Sequence, residues 1–258
     1  MTTGARRIAV IGDIGGHADQ LDDALVELGA DPRAGTLPDG LTVVQVGDLV
    51  HRGPHSHLVV QTVDRFLSRR LDRWVQLCGN HESCHVGEAV FVHDPLEDAS
   101  ALTLERWDEA ELLRIATALD TSSGPVLVTH AGLTWETWTE LGEPSTPHKA
   151  VQALQLHPAV ARRPGRMLAD ADLRLPPGVL WAEAGHELYS SWLRAEQAGV
   201  RAPFGQIHGH SSAWNWARRW STAPPQVTER LSVDVPRRHV MVELAGQRLV
   251  GIDPCFGR

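Results

Sequence analysis

The chain has few cysteines and no excess of positive charge, and each shortage excludes a class of protein. Three of its 258 residues are cysteines, at Cys78, Cys84 and Cys255. An odd number at uneven spacing does not describe the disulfide framework of a small secreted protein. The 24 Lys and Arg residues are outnumbered by 32 Asp and Glu residues, and the formal net charge is −8. We therefore expect neither nucleic acid nor a membrane surface among its partners.

Long apolar segments are also missing from the sequence. No apolar run approaches the ~18 residues of a membrane-spanning helix, and none near the first residue resembles the core of a signal peptide. A chain of 258 residues is nevertheless long enough to bury an ample core. The sequence predicts one soluble, cytoplasmic domain over residues 1–258.

Tyrosine and phenylalanine are scarce, whereas tryptophan is not. The chain holds nine Trp residues against one Tyr and four Phe. A rim of Trp side chains could stack on a nucleobase or grip an apolar substrate. Because Trp more often packs inside a protein, we favour a core position for most of them.

Three apolar segments in the first third of the chain each end in Gly followed by an oxygen donor. The donors are Asp13, Asp48 and Asn80, and they recur at nearly equal intervals. The apolar runs predict buried strands, and the intervals suit β-α-β units with parallel strands. Side chains at the carboxyl ends of neighbouring parallel strands meet at one edge of the sheet, where ligands collect in such folds. Two carboxylates crowded there repel each other, and a bound cation would relieve the repulsion.

Periodicity predicts most of the remaining elements. Apolar residues at helical spacing predict helices over residues 18–28, 57–71, 101–119, 134–141 and 183–197. Two further strands end in histidine, at His130 and at the pair His208 and His210. Residues 239–244 and 247–253 alternate like an antiparallel hairpin. Residues 142–177, where proline is frequent, show no clear periodicity.

Four short motifs carry a resemblance to a known family. They are Gly47-Asp48-Leu49-Val50-His51-Arg52-Gly53, Gly79-Asn80-His81-Glu82, His130-Ala131-Gly132-Leu133 and Gly209-His210-Ser211. Together with the Gly-Asp pair at the first strand end, they resemble the calcineurin-like metallophosphoesterases over residues 8–253. The likeness is greatest to the branch of bacterial Ser/Thr protein phosphatases and symmetrical diadenosine tetraphosphatases.

The resemblance implies a fold and an activity. The family fold is mixed α/β, a two-sheet sandwich of mixed strands flanked by helices and built on a β-α-β-α-β core. The implied activity is hydrolysis of phosphomonoesters by a metal-activated hydroxide, on a phosphorylated small molecule, a nucleotide or a phosphoprotein. A Ser/Thr phosphoprotein phosphatase is the leading interpretation, and a dinucleoside polyphosphate hydrolase is the alternative. A weakened relative that binds a phosphorylated ligand without turnover is a third interpretation, of another class.

The resemblance also assigns metal ligands residue by residue. Asp48 matches the carboxylate that bridges two divalent ions. Asp13 matches a ligand of the first ion and Asn80 a ligand of the second. His130 and His210 match the two imidazole ligands. Carboxylate, amide and imidazole donors suit manganese, which we expect, with iron and zinc as alternatives.

Two residues match the catalytic groups of the family. His81 matches the acid that protonates the leaving alkoxide, a task that suits an imidazole near neutral pH. Arg52 matches an arginine whose planar guanidinium holds phosphate oxygens in two places.

Two positions depart from the family pattern. Gly15 stands where the family has a histidine in its first motif, and His51 stands where it has the aspartate that orients the catalytic histidine. We predict that His51 supplies the nitrogen donor that the first metal loses at Gly15, because His51 follows Asp48 in the same turn. His17, which lies beyond two glycines, is the competing candidate.

Overall fold

The computed structural model describes residues 7–69, 72–87 and 89–256. The chain divides into two compact units. The first unit holds residues 1–114 together with 256–258, and the second holds residues 115–255. The expectation of a single domain over residues 1–258 stays a prediction.

The first unit contains a parallel sheet whose strands follow one another in chain order. The strands are β1 (Arg7–Ile11), β2 (Leu41–Gln45), β3 (Trp74–Leu77) and β4 (Leu113–Arg114). The helices of this unit are α1 (Ala18–Glu27), α2 (Ser56–Arg69), α3 (Asn80–Val86) and α4 (Asp98–Glu109). The predicted β-α-β-α-β core is therefore present, because α1 and α2 connect successive parallel strands.

The helices of the first unit bury the apolar faces that their periodicity predicts. Leu21 and Leu25 of α1 are fully buried, as are Val63 and Phe66 of α2. The Phe66 ring stacks on Trp74 of β3 at a centroid distance of 4.7 Å. Helix α1 begins at its predicted first residue and ends one residue before its predicted end, and helix α2 begins one residue before its predicted start. The last two residues of the prediction for 57–71 lie outside the described residues.

The prediction of one helix over residues 101–119 is wrong. Helix α4 ends at Glu109, and Glu111 adopts a left-handed backbone with φ of 56°. The Glu111 and Leu112 N–H groups donate back to the carbonyls of Asp108 and Trp107, which closes the helix end. The chain then forms β4 and a strand of the second unit. Pairing within the sheets outweighs the local helical preference here.

The second unit contains a mixed sheet of six strands. In chain order they are β5 (Ala116–Thr121), β6 (Gly124–Thr129), β7 (Gly205–His208), β10 (Ser232–Asp234), β11 (His239–Leu244) and β12 (Gln247–Gly251). Their order in the sheet is β10-β11-β12-β7-β6-β5. A separate small pair is formed by β8 (Trp214–Asn215) and β9 (Trp220–Ser221). Strand β7 pairs in parallel with both of its neighbours, and the outer pairs are antiparallel.

The helices of the second unit are short. They are α5 (Trp135–Glu140), α6 (Pro147–Leu156), α7 (Pro158–Ala161), α8 (Ser190–Gln197) and α9 (Pro225–Thr228). Helix α8 is preceded by a π-helical turn, Ala184–Tyr189, so the helix predicted over 183–197 is confirmed with an irregular first half. Helices α6 and α7 lie in the stretch for which periodicity gave no assignment.

The predicted hairpin near the end of the chain is confirmed. Strands β11 and β12 pair in antiparallel register, with Leu244 opposite Gln247. Ala245 and Gly246 between them have φ of 50° and 79°. Two successive positive φ angles match the two-residue turn that fits the twist of a hairpin.

Most of the tryptophans are part of the core, as favoured from the sequence. The side chains of Trp74, Trp107, Trp138, Trp181 and Trp192 are buried. Trp138 and Trp192 belong to an apolar cluster that lies entirely within the second unit. Trp220, by contrast, is 51% exposed.

The mixed α/β fold class is confirmed by these helices and sheets. Packing of two sheets as a sandwich stays a prediction. Among the described residues, no helix is long and apolar enough to cross a membrane.

Candidate active site

Three oxygen donors lie at the carboxyl ends of neighbouring parallel strands in the first unit. Asp13 follows β1, Asp48 follows β2 and Asn80 follows β3, and all three side chains are buried. Backbone hydrogen bonds join the turn after β1 to the turn after β2, since the Asp48 carbonyl accepts from the N–H groups of Ile14 and Gly15 at 3.0 and 2.7 Å. The sequence prediction that these strand ends share one edge agrees with this topology. Their role as metal ligands stays a prediction.

The glycines before Asp48 and Asn80 are required by the close approach of two turns. A Cβ on Gly47 would lie 2.4 Å from the backbone nitrogen of Gly79. A Cβ on Gly79 would lie 2.3 Å from the backbone nitrogen of Asp48. Gly47 also has a φ of 102°, which other residues rarely adopt. The Gly-Asp and Gly-Asn pattern therefore lets two donor-bearing turns touch through their backbones.

The turn after β2 holds three non-glycine residues in left-handed backbone conformations. The φ angles are 54° at Asp48, 70° at His51 and 62° at Arg52. Such conformations cost free energy and persist where the surrounding structure enforces them, often at functional sites. Two of these three residues, Asp48 and Arg52, are ones to which the family resemblance assigns metal-binding and catalytic roles.

A buried carboxylate holds this turn in place. Glu82 is fully buried, and its Oε2 accepts from the N–H groups of Asp48 at 2.7 Å and Gly79 at 2.9 Å. Its Oε1 accepts from the N–H groups of Leu49 at 2.7 Å and Val50 at 3.3 Å. Burial, and then the charge of Asp48, raise the pKa of Glu82 to about 7, against the opposing effect of the backbone donors. The sequence motif contains Glu82, but the sequence alone gave it no role.

His81 lies between Arg52 and His51. Its side chain is buried. Its Nε2 lies 3.1 Å from Arg52 Nη2 and 3.9 Å from Asp48 Oδ2. Its backbone N–H donates to Asp48 Oδ1 at 3.1 Å. Its Nδ1 lies 2.7 Å from His51 Nδ1. Because a guanidinium only donates, His81 Nε2 accepts from Arg52, and a neutral His81 then donates from Nδ1 to His51. His51 thus contacts the atom of His81 that the family orients with an aspartate.

His51 continues into a group of histidines that the sequence did not reveal. Its Nε2 lies 3.0 Å from the Nε2 of His85 on α3, and its ring stacks on His93 with centroids 4.6 Å apart. Burial and then the neighbouring imidazoles of His81, His85 and His93 lower the pKa of His51 to about 3. Burial likewise lowers the pKa of His85 to about 4. Both imidazoles are therefore neutral at physiological pH.

His51 and His17 are the two candidates for the nitrogen ligand that Gly15 cannot supply to the first metal, and their surroundings differ. His17 is half-buried, its ring lies 5.7 Å from Phe256, and its buried Nε2 has no hydrogen-bond partner among residues 7–69, 72–87 and 89–256. Gly15, with φ of 51°, faces the aliphatic part of Arg52. Ligation of the first metal by His51 or by His17 stays a prediction.

In the second unit, the two predicted imidazole ligands contact each other. His130 follows β6 and His210 lies just after β7, which is the neighbour of β6 in the sheet. His210 Nδ1 lies 3.2 Å from His130 Nε2, and both side chains are buried. His210 has a φ of 64°. Two buried ring nitrogens at this separation suit ligation of one ion, since nitrogens bound to the same transition metal lie about 3 Å apart.

His208, whose role the sequence left open, is bound on both sides by protein. Its Nε2 lies 2.8 Å from the hydroxyl of Tyr189, and its Nδ1 lies 3.0 Å from the carbonyl of Gly209. Burial lowers the pKa of His208 to about 4 and raises the pKa of Tyr189. These contacts give His208 a structural role.

The donor set fits divalent metal ions. The first unit buries two carboxylates and one amide at one sheet edge, and the second unit buries two adjoining imidazoles. Buried carboxylates are costly unless they are paired or bind a cation. The mixture of oxygen and nitrogen donors is that of manganese, iron or zinc sites.

Comparison with known proteins gives a family and a set of relatives. A family model described as Calcineurin-like phosphoesterase matches residues 6–211. The bis(5'-nucleosyl)-tetraphosphatase PrpE [asymmetrical] of Halalkalibacterium halodurans is 36% identical over 74 residues. That match covers 28% of this chain and spans only 29% of the relative.

Solved structures resemble almost the whole chain. The cold-active protein-tyrosine phosphatase of a psychrophile, Shewanella sp., has a TM-score of 0.55 at 18% identity, over 99% of this chain and 73% of its own. A protein serine/threonine phosphatase from Saccharomyces cerevisiae has a TM-score of 0.51 at 16% identity, over 98% of this chain and 68% of its own. At such low identity the likeness shows the fold.

Proposed function

The chain belongs to the calcineurin-like phosphoesterase family, and from that membership we propose that it is a metal-dependent phosphatase that hydrolyses phosphomonoesters. One observation carries the proposal most directly. His81 Nε2 lies beside both Arg52 Nη2, at 3.1 Å, and Asp48 Oδ2, at 3.9 Å. The residues proposed as proton donor, phosphate-binding cation and metal-binding carboxylate therefore lie together at one edge of the first sheet.

The proposed metal ligands are those that the resemblance assigns. They are Asp13, Asp48 and Asn80 in the first unit and His130 and His210 in the second, and manganese is the ion we favour. When bound, such ions polarise a phosphoryl group and lower the pKa of water enough to make a nucleophile at neutral pH.

Arg52 would bind the phosphoryl group. Arg52 is an exposed residue, and its guanidinium reaches the buried His81 from the strained turn after β2. A planar guanidinium holds two phosphate oxygens at once and offsets the charge that develops during transfer. Substrate binding would draw Arg52 away from His81 Nε2 and leave that nitrogen facing the reacting ester.

His81 would protonate the leaving alkoxide from Nε2. To do so the ring must carry protons on both nitrogens, and His51 Nδ1 is placed to accept from Nδ1 at 2.7 Å. A neutral imidazole acceptor orients the acid as a carboxylate would, but without a negative charge to stabilise the imidazolium.

The nature of the substrate is part of the proposal. A phosphoprotein is the leading candidate, because the Gly-Asn-His-Glu motif at residues 79–82 resembles that of the phosphoprotein phosphatases. A dinucleoside polyphosphate is the second candidate, because the curated relative matched over 74 residues is named as a tetraphosphatase. A cytoplasmic location also belongs to this proposal, on the acidic composition of the chain.

The experiment supplies manganese to the chelator-treated protein and presents three substrates separately. These are p-nitrophenyl phosphate, a phosphoserine peptide and diadenosine tetraphosphate. Turnover of the first two supports a phosphoprotein phosphatase, whereas preference for the third supports the second candidate. Binding of phosphate with no turnover of any substrate would overturn the enzymatic proposal and favour a phospho-ligand binding module.

A further inference from the structure

Three histidines of the first unit gather in a second group of potential ligands. The ligand atoms of His51, His85 and His93 all lie within 4.8 Å of one another. His51 is buried in the turn after β2, His85 is half-buried on α3, and His93 is half-buried on the following loop. The group shares no residue with the ligand set that the family resemblance assigns.

The hydrogen bonds of His51 and His93 occupy Nδ1 of each ring and leave Nε2 as the candidate ligand atom. His93 Nδ1 lies 2.8 Å from the carbonyl of Asp94 and must donate to it, which leaves the His93 Nε2 lone pair available. His51 Nδ1 is occupied by His81, so its Nε2 is directed at His85 Nε2, at 3.0 Å. A hydrogen bond donated by the outer nitrogen, as at His93, is the kind that fixes the tautomer of a metal-binding histidine.

We propose that His51, His85 and His93 form a separate binding site for one transition-metal ion of the zinc class, through their three Nε2 atoms. Three imidazoles without a carboxylate suit zinc, copper or nickel and exclude magnesium and calcium. Zinc is the ion to which we commit, with water as a fourth ligand.

His51 and His85 need little rearrangement to accept the ion, whereas the His93 ring, which stacks on His51 at an interplanar angle of 12°, must rotate so that its Nε2 meets the same ion. Zinc–nitrogen bonds of ~2.0–2.1 Å in a tetrahedron place two nitrogens about 3.3 Å apart. His51 and His85 Nε2, at 3.0 Å, would therefore separate by a few tenths of an ångström. With zinc bound, the proton of His51 resides on Nδ1 and His81 Nδ1 accepts it, so in the zinc-bound state His81 lacks the second proton that the proposed acid needs. Arg52, being exposed, is able to turn away from His81 Nε2 in that state.

This site and the earlier prediction for His51 have different consequences. If His51 ligates the first metal, replacement of His85 or His93 leaves the number of bound ions unchanged. If the three histidines form their own site, replacement of either one removes an ion.

The test counts zinc per chain by mass spectrometry of the metal, after incubation with excess Zn²⁺ and removal of the free ion. We expect wild type to hold one zinc more than His85→Ala or His93→Phe. The phenylalanine keeps an aromatic ring against His51 and removes only the ligand. His55→Ala is the matched control, because His55 is an exposed histidine of the same unit outside the group, and it should match wild type.

A second pair of variants separates this site from the proposed catalytic metals. We expect Asp48→Asn to retain one zinc and the double variant Asp48→Asn, His93→Phe to retain none. Cobalt in Asp48→Asn should give the intense visible bands of a tetrahedral site. Equal zinc in wild type, His85→Ala and His93→Phe would overturn the site, as would an Asp48→Asn protein that binds no zinc. Neither result depends on turnover, so failure of the phosphatase proposal is seen separately in the substrate assay.

Discussion

The two units hold their candidate site residues in different ways. In the first, the side chains are joined to one another: Glu82 binds the backbone of the turn after β2, and Arg52, His81, His51 and His85 form a continuous series of contacts. In the second unit, His130 and His210 follow neighbouring strands whose sheet packs on a large apolar cluster. Hydrogen bonds between side chains and turns build the first arrangement, whereas the strands that carry the contacting pair His130 and His210 pack on the apolar cluster.

The difference predicts how far the effect of a substitution spreads. Members of a hydrogen-bonded network are energetically coupled, whereas residues held by separate packing contacts are more nearly independent. Substitutions in the first unit should therefore change several proposed activities together. Substitutions in the second unit should act locally.

The largest loss is expected at Asp48. Asp48→Asn should reduce kcat/KM more than Asn80→Asp or His130→Asn does, because the proposed bridging carboxylate serves both ions. Exhaustive chelation of wild type should abolish turnover to the same degree, and added manganese should restore it. Near-native activity of Asp48→Asn, or full turnover after chelation, would contradict the assignment of the metal ligands.

The next largest loss is expected at His81. His81→Asn should lower kcat by roughly 10²–10⁴-fold for an alkyl phosphate, which needs its leaving group protonated. The loss should be much smaller for p-nitrophenyl phosphate, whose leaving group departs unaided. Equal losses for the two substrates would show that His81 acts in some way other than as the acid.

Substitutions of His51 test whether it acts by orienting the His81 ring. His51→Ala should lower kcat about 10–100-fold for the alkyl phosphate, the range seen when a supporting hydrogen bond to a site histidine is lost. His51→Asp restores the residue type of the family and should recover kcat with little change in KM. An aspartate variant as impaired as the alanine variant would exclude the orienting role.

A smaller effect, on stability, is expected at Glu82. Glu82→Ala leaves four buried N–H groups of the turns without their acceptor, and each such group costs about 1–3 kcal/mol. Denaturant unfolding of metal-free protein should show a loss of about 3 kcal/mol or more. Glu97→Ala, at an exposed glutamate of the same unit, serves as the control and should stay within ~0.5 kcal/mol of wild type.

The smallest effect tests the second unit. Tyr189→Phe removes the hydroxyl beside His208 Nε2 and should cost about 1 kcal/mol of unfolding free energy. Activity should not change, because the apolar packing that holds β6 and β7 remains. A loss of turnover larger than the loss of stability explains would show that the second unit also depends on a polar network.

The sequence by itself determined the parallel strands β1 to β3, the helices between them and the donors at the strand ends. It did so because these features are local. Apolar runs, helical periodicity and a Gly followed by an oxygen donor are each read from neighbouring residues, and the final hairpin is of the same kind.

The tertiary structure alone decided which distant side chains complete the site. Glu82 becomes an anchor only when α3 lies against the turn after β2, and His93 approaches His51 from a loop without periodicity. Residues 116–121, which favour a helix locally, become a strand because the hydrogen bonds of β6 are available to them. In each case the deciding free energy comes from contacts between segments far apart in the chain, and no short-range pattern records such contacts.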